Sequence, residues 1–165
     1  MLTNSGNRNL VGVMLFIGVI LTIISCKKDN SVDPPAQLIT PFTGITHTDS
    51  TGFGVVGSVD SSDWKSISIG KIQYILHPAY PNPCSTGTGC DITWWQQSRD
   101  SVVITLNDSS SHILATFISQ RLDSGQYAYS LHNHLNGFQS AIYRLYFHVV
   151  KAESTYTTYG DIQVN

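Results

Sequence analysis

Apolar and polar residues alternate along most of the chain after residue 66, and this alternation is the clearest structural signal in the sequence. The longest run places Tyr143, Leu145, Phe147 and Val149 at every second position. A period of two buries one face of a β-strand and leaves the other face in water. Shorter segments of the same kind are residues 67–76, 91–97, 102–106, 113–117 and 127–131, with a last strand ending at 162–164. Turn residues separate them at spacings of about 8 to 12 residues, which predicts an all-β antiparallel sandwich of about seven strands.

The stretch before this region is less regular. Residues 53–59 predict one further strand, and residues 60–63 predict a turn of Asp and Ser. Gly54 and Gly57 weaken the strand prediction, because glycine has no side chain to pack.

The N-terminus carries an uncharged apolar run at residues 10–24, preceded by Arg8. These 15 residues would span about 22 Å as a helix, which is short for a bilayer core of roughly 30 Å. The run ends in Ile-Ile-Ser-Cys26, which resembles a bacterial lipobox. The resemblance implies a signal helix over residues 1–25, cleavage before Cys26 and a diacylglycerol on its sulfur. An uncleaved anchor and an ordinary signal cut elsewhere are the alternatives.

Three parts of the chain follow from this pattern. Residues 1–25 are the predicted signal peptide, residues 26–41 a flexible lipid-anchored tether containing Pro34 and Pro35, and residues 42–165 one β-sandwich domain with its core in 70–165. The Cys-Lys-Lys-Asp start of the tether is similar to lipoproteins of the Bacteroidetes. We therefore expect a lipid-anchored protein of the outer membrane or cell surface, and the periplasmic face stays open.

Charge restricts the partners. The chain has 9 basic and 11 acidic residues, and only 12% of its residues are charged. No block of Lys and Arg occurs, so a nucleic acid partner is not expected. The predicted partners are the membrane, through the lipid, and an envelope protein or glycan.

Two cysteines remain after Cys26. Outside the cytoplasm, Cys84 and Cys90 form an even pair that predicts a disulfide around a short loop. The alternative is a metal site, for which His77 is the nearby candidate ligand, but a structural site requires more ligands.

Tyr80, Pro81, Asn82 and Pro83 form the most specific motif in the domain. The prolines fix φ and hold the segment extended, and Asn82 is expected to bond local backbone. The motif resembles the opening of the immunoglobulin-like (fibronectin III-like) domain of flagellar hook-cap proteins and of type IX secretion C-terminal sorting domains. Later matches support the resemblance: residues 92–94, 102–106, 107–111, 124–127, 141–147 and 159–164. It implies an Ig-like fold, whereas Cys84 stands where the family usually has Phe.

Few residues suggest chemistry. His132 and His134 would share one face of a strand and could hold a metal, but two polar residues facing water in a loop-rich region are the preferred interpretation. The catalytic motifs of hydrolases, zinc proteases and nucleotide-binding proteins do not occur. We expect no enzyme activity, no cofactor and no metal.

Trp94 and Trp95 are the candidate binding aromatics. Adjacent strand residues face opposite ways, so one of them is expected to face solvent, where it could stack on a sugar ring or a protein surface. The alternative is that both cover the ends of a small sandwich. The sequence thus predicts a non-enzymatic envelope lipoprotein with a structural, adhesive or protein-interaction domain. A type IX secretion substrate with a C-terminal sorting signal and a glycan-binding accessory module are the alternatives.

Overall fold

Eight β-strands make up the regular structure of the domain. The computed structural model describes residues 41–52 and 54–165. The strands are β1 (Ile67–Ile69), β2 (Ile72–Leu76), β3 (Asp91–Gln96), β4 (Asp100–Asn107), β5 (Ile113–Leu122), β6 (Gly125–Ser130), β7 (Ala141–Lys151) and β8 (Ser154–Val164). The predicted signal helix 1–25, Cys26 and the tether up to residue 40 lie outside the described residues. Within the described ranges no helix is long and apolar enough to cross a membrane.

The strands form two four-stranded antiparallel sheets. The first sheet has the order β1-β2-β3-β6, and the second has the order β5-β4-β7-β8. The chain crosses from the first sheet to the second between β3 and β4, returns to the first at β6 and crosses again to β7. The predicted all-β sandwich is therefore confirmed, and β3, β4 and β7 lie where the alternation placed them.

One core joins the two sheets. Trp94 of β3 is 1% exposed, and its ring contacts Phe147 of β7 edge-on at 5.7 Å. Alternate residues of β4 and β7 complete the core from the second sheet, among them Ile104 and Leu145. Period-two burial is thus the physical origin of the sandwich.

Two details of the strand prediction were wrong. Residues 54–59 form no strand, and within them only Val55 makes an isolated bridge, to Thr48; Phe53 lies outside the described residues. Val55, Val56 and Val59 are each about half exposed or more, so this stretch has no buried face that would hold it in a sheet.

The second detail concerns residues 67–76, which form two strands and not one extended segment. Gly70, with φ of +62°, turns the chain so that Ile69 pairs with Ile72 in a tight hairpin. This hairpin contributes to a total of eight strands in the described residues, where the spacing had predicted about seven.

Candidate functional site

The two adjacent tryptophans of β3 have different environments. Trp94 faces the core, where its ring stacks on Tyr127 at 5.2 Å and its Nε1 donates to Gln96 Oε1 at 3.2 Å. Trp95 faces the outer surface of the first sheet and is half-buried. Trp95 is thus the member of the pair that a ligand could reach.

Trp95 belongs to a cross-strand row on this outer face. It lies opposite Ile75 of β2 and opposite Gln126 of β6 in the antiparallel register. Thr93 lies two residues away on the same face of β3. The aromatic ring is therefore set among one aliphatic and two polar side chains.

A cleft of about 290 Å³ adjoins this row. Its lining residues come from β3, β6, the segment after β2 and a loop of the N-terminal segment: Thr51, Gly52, His77, Tyr80, Thr93 and Gln126. Gln126 lines the cleft and is also the cross-strand partner of Trp95, so Trp95, which is not itself a lining residue, lies next to one in the sheet. We call this arrangement the Trp95 cleft.

Backbone pairing fixes the cleft walls. The Tyr80 N–H donates to the Asp91 carbonyl at 3.0 Å, and the Asp91 N–H donates to the Tyr80 carbonyl at 2.8 Å. The His77 N–H donates to the Thr93 carbonyl at 3.0 Å. Gly52 lies so close to the Tyr80 ring that a Cβ atom there would be 2.8 Å from ring carbons. Only glycine permits this approach, because its φ of +74° is also a left-handed conformation.

The cleft is polar but carries no fixed charge. The side chains of His77, Tyr80, Thr93 and Gln126 form no hydrogen bond with other described residues. None of the six lining residues is a carboxylate, a lysine or an arginine. The cleft therefore offers unused donors and acceptors beside aromatic surface.

The Tyr-Pro-Asn-Pro segment has a structural role in the described fold. Both X-Pro bonds are cis. Asn82 is fully buried; its Nδ2 donates to the carbonyls of Thr46 at 3.0 Å and Asp161 at 2.9 Å, and its Oδ1 accepts from the Gln163 N–H at 3.0 Å. The expectation that Asn82 bonds local backbone was wrong, because its partners lie 36 to 81 residues away in sequence. Asn82 acts as an extra peptide group that joins the N-terminal segment to β8.

A buried charged cluster lies near this corner, and sequence reasoning missed it. Arg144 of β7 forms a two-pronged ion pair with Asp161 of β8, with Nε and Nη2 at 2.6 Å and 2.7 Å from the carboxylate oxygens. The guanidinium carbon lies 4.0 Å from the centre of the Tyr159 ring and 4.6 Å from that of Phe42. Burial raises the pKa of Asp161, and the Arg144 charge opposes that shift. The signal in the sequence was a charged residue inside the alternating run of β7, aligned with an acid on the next strand.

Asp63 is the unpaired acid of this region. It is 7% exposed, and neither carboxyl oxygen has a hydrogen-bond partner among the described residues. Burial, followed by the nearby Asp161 charge, raises its pKa from 3.8 to about 7. The surroundings of Asp63 therefore favour its protonated form.

The predicted Cys84–Cys90 disulfide is not formed in this structure. Cys84 and Cys90 are buried free thiols in this structure, and a hydrogen bond between them lowers the pKa of Cys84, while the same bond and burial raise that of Cys90. Their disulfide stays a prediction.

His132 and His134 lie in turns after β6, not on a strand. His132 Nδ1 is 2.5 Å from the Thr88 carbonyl oxygen, and His134 Nε2 is 3.1 Å from the Tyr129 hydroxyl. No group of three or more metal-ligating residues occurs in the described ranges.

No protein-family model, no curated protein and no solved structure matches this chain.

Proposed function

We propose that the chain is a non-enzymatic cell-envelope lipoprotein, anchored through Cys26, whose Ig-like sandwich binds a neutral saccharide in the Trp95 cleft. The observation that carries the proposal is the combination of an outward-facing indole with four nearby polar side chains, His77, Tyr80, Thr93 and Gln126, that form no hydrogen bond with other described residues. Through this cleft the domain would act as an adhesive module of the outer membrane or cell surface.

A saccharide matches the cleft chemically. A sugar ring has an apolar face that stacks on indole or phenol rings, and its hydroxyls both donate and accept hydrogen bonds, as do Gln126 and Thr93. A volume of about 290 Å³ is near the lower end of ligand pockets, which range over roughly 300–1,000 Å³. The cleft therefore suits one or two sugar units of a longer chain.

The lining also favours binding over hydrolysis. Most glycosidases act through two carboxyl groups on either side of the scissile bond. The six lining residues include no Asp or Glu. We therefore propose that the cleft binds a glycan without hydrolysing it.

The test is retardation of the protein in native gels that contain soluble neutral polysaccharides. Trp95→Ala removes the stacking ring, and we expect the affinity to fall about tenfold, which corresponds to ~1.4 kcal/mol. Gln126→Ala should weaken binding in the same direction. The matched controls are Leu114→Ala and Gln120→Ala, both exposed on β5 of the other sheet. Absence of retardation by every polysaccharide tested, or full retardation of Trp95→Ala, would contradict the proposal.

The type IX secretion alternative makes a different proposal for the same domain. The Tyr-Pro-Asn-Pro segment that supports it is joined to the last strand, since Asn82 Oδ1 accepts a hydrogen bond from the Gln163 N–H at 3.0 Å. If the domain were a sorting signal, residues 70–165 would be the piece recognised and removed. A shortened form of the protein at the cell surface would favour this alternative over the binding module.

A further inference from the structure

β8 is an edge strand of the second sheet, and other parts of the chain cover the second half of its outer edge. The Tyr159 carbonyl accepts a hydrogen bond from the Trp64 N–H at 2.6 Å. The Asp161 carbonyl accepts one from Asn82 Nδ2 at 2.9 Å, and the Gln163 N–H donates one to Asn82 Oδ1 at 3.0 Å. Every second residue of β8 therefore directs its backbone groups away from β7.

The same alternation leaves the first half of this edge open. β8 pairs with β7 without a register shift from Ser154 to Val164. The N–H and carbonyl groups of Thr155 and Thr157 consequently also point away from β7. Neither these groups nor the Tyr159 N–H has a hydrogen-bond partner among the described residues. The edge thus presents a row of unused backbone donors and acceptors.

A groove of about 510 Å³ follows the open edge. Consecutive residues of β8 line it, so the groove runs along the strand edge and not over one face of the sheet. Its lining residues are 155–159 of β8, Ser62, Lys65 and Ser66 of the preceding segment, and Ile67 of β1. We call it the β8 edge groove.

The regularity of β8 suits it to pairing with another strand. Proteins commonly protect sheet edges with short strands or with β-bulges. β1 has only three residues, and the pairing of β5 with β4 is shifted at two places. β8, in contrast, pairs regularly with β7 over all of its eleven residues. Its open half therefore lacks the usual protection.

Lys65 gives the groove its charge. This side chain is exposed and forms no ion pair with any residue that the structure describes. The remaining lining residues are Ser, Thr, Tyr and Ile, so no carboxylate lines the groove. A partner that carries a carboxylate would therefore complement it.

We propose that the β8 edge groove binds an acidic, extended peptide segment of a second protein, which joins the second sheet as an added strand. Backbone pairing with Thr155, Thr157 and Tyr159 supplies the affinity, and Lys65 selects for a carboxylate. The groove shares no lining residue with the Trp95 cleft, so this proposal does not depend on saccharide binding.

Amide hydrogen exchange of the full-length protein in detergent tests the open edge. In the free protein we expect the N–H groups of Thr155 and Thr157 to exchange at least about tenfold faster than those of Tyr156 and Thr158, which pair with β7. The probe is the end-blocked peptide Asp-Thr-Val-Thr-Val-Thr-Asp. At saturation it should slow exchange at Thr155 and Thr157 about tenfold.

Two exchange results would overturn the proposal. One is unchanged exchange at Thr155 and Thr157 in the presence of excess peptide. The other is protection of these amides in the free protein that disappears on dilution, because a second copy of the chain would then occupy the edge.

A charge reversal at Lys65 tests the acidic character of the partner by fluorescence polarisation of labelled peptides. Lys65→Glu should weaken binding of the aspartate peptide about tenfold and strengthen binding of its counterpart Lys-Thr-Val-Thr-Val-Thr-Lys. Lys71→Glu, exposed in the turn between β1 and β2 and outside the groove, is the matched control and should change neither affinity. An unchanged preference in Lys65→Glu would contradict the proposal.

Thr155→Pro tests the backbone pairing, because it removes an N–H that the β7–β8 ladder does not use. We expect the affinity for the aspartate peptide to fall about tenfold, while Thr155→Val, which keeps the N–H, binds as the native protein does. Native affinity in a folded Thr155→Pro, checked by circular dichroism, would overturn the proposal. If Thr155→Pro does not fold, the charge reversal at Lys65 decides.

Discussion

Single polar side chains hold the ends of this sandwich together. Asn82 satisfies two carbonyls and one N–H from two distant parts of the chain, the N-terminal segment and β8, and it does so without exposure to water. A buried polar group left without its partner costs about 1–3 kcal/mol, so the loss of Asn82 leaves several such groups at once.

Asn82→Ala should therefore lower the free energy of unfolding by about 3 kcal/mol. Urea denaturation followed by tryptophan fluorescence measures it. Asn136→Ala, at an exposed position, is the matched control and should change stability by less than about 0.5 kcal/mol. Equal stability of the two variants would show that the Asn82 hydrogen bonds contribute nothing net.

Asp63 gives the molecule a defined pH dependence. Its pKa of about 7 in the folded state, against 3.8 ordinarily, means that the folded protein keeps a proton which the unfolded chain releases between about pH 4 and pH 7. This contribution to stability is present at low pH and is lost as the pH rises through that window.

Asp63→Asn removes this titration. At pH 8 we expect the free energy of unfolding of the variant, measured by urea denaturation, to exceed that of the native protein by about 1–3 kcal/mol. At pH 4 we expect little gain. Asp123→Asn, an exposed acid, is the control and should show no such difference. A gain for Asp63→Asn that is the same at both pH values would contradict the raised pKa.

At the scale of elements, Trp64 and Gly160 explain how the irregular N-terminal segment joins the sheet. Trp64 has φ of +55° and donates its N–H to the Tyr159 carbonyl at 2.6 Å. Its ring lies over Gly160 of β8, where a Cβ atom would be 2.1 Å from a ring carbon. The Trp64 ring thus occupies the space that a side chain at position 160 would need.

Gly160→Ala should expel this ring and lower the free energy of unfolding by about 3 kcal/mol. Thermal unfolding by circular dichroism measures the change. Gly87→Ala is the control, because a Cβ atom there meets nothing within 4 Å. Unchanged stability of Gly160→Ala would mean that Trp64 can move aside at no cost.

Alternation predicted the strands that have one apolar and one polar face. The alternation placed β3, β4 and β7 correctly, and the turn residues between alternating segments placed most of the other strands. It failed at residues 54–59, where Val55, Val56 and Val59 are about half exposed or more and no buried face forms. It also did not reveal Trp64, whose burial depends on a glycine almost 100 residues later.

The candidate site was predictable only in part. The rule that adjacent strand residues face opposite ways identified an outward tryptophan, and the register shows that it is Trp95. The six residues that line the neighbouring cleft come from four separate segments, and no local pattern could have brought Thr51 and Gln126 together. Long-range pairing at Tyr80 and Asp91 is what assembles the cleft.

At the scale of the whole molecule, the proposed anchor and the cysteine pair are tested by one mass measurement. Protein extracted from its host membranes should have the mass of residues 26–165 plus a lipid, and reduction should add about two protons for a Cys84–Cys90 bridge. A precursor mass that includes residues 1–25 would contradict the anchor. A species lacking C-terminal strands would favour the sorting-signal alternative.

The central claim is that Trp95 and its cleft bind a neutral saccharide, and a nuclear magnetic resonance titration tests it most directly. Three indole N–H signals are available, and those of the buried Trp64 and Trp94 serve as internal references. With added neutral oligosaccharides we predict saturable shifts of the Trp95 indole and of the Gln126 and His77 amides, while the Trp64 and Trp94 indoles stay fixed. A Trp95 signal that does not move with any oligosaccharide, or shifts confined to the second sheet, would contradict the account.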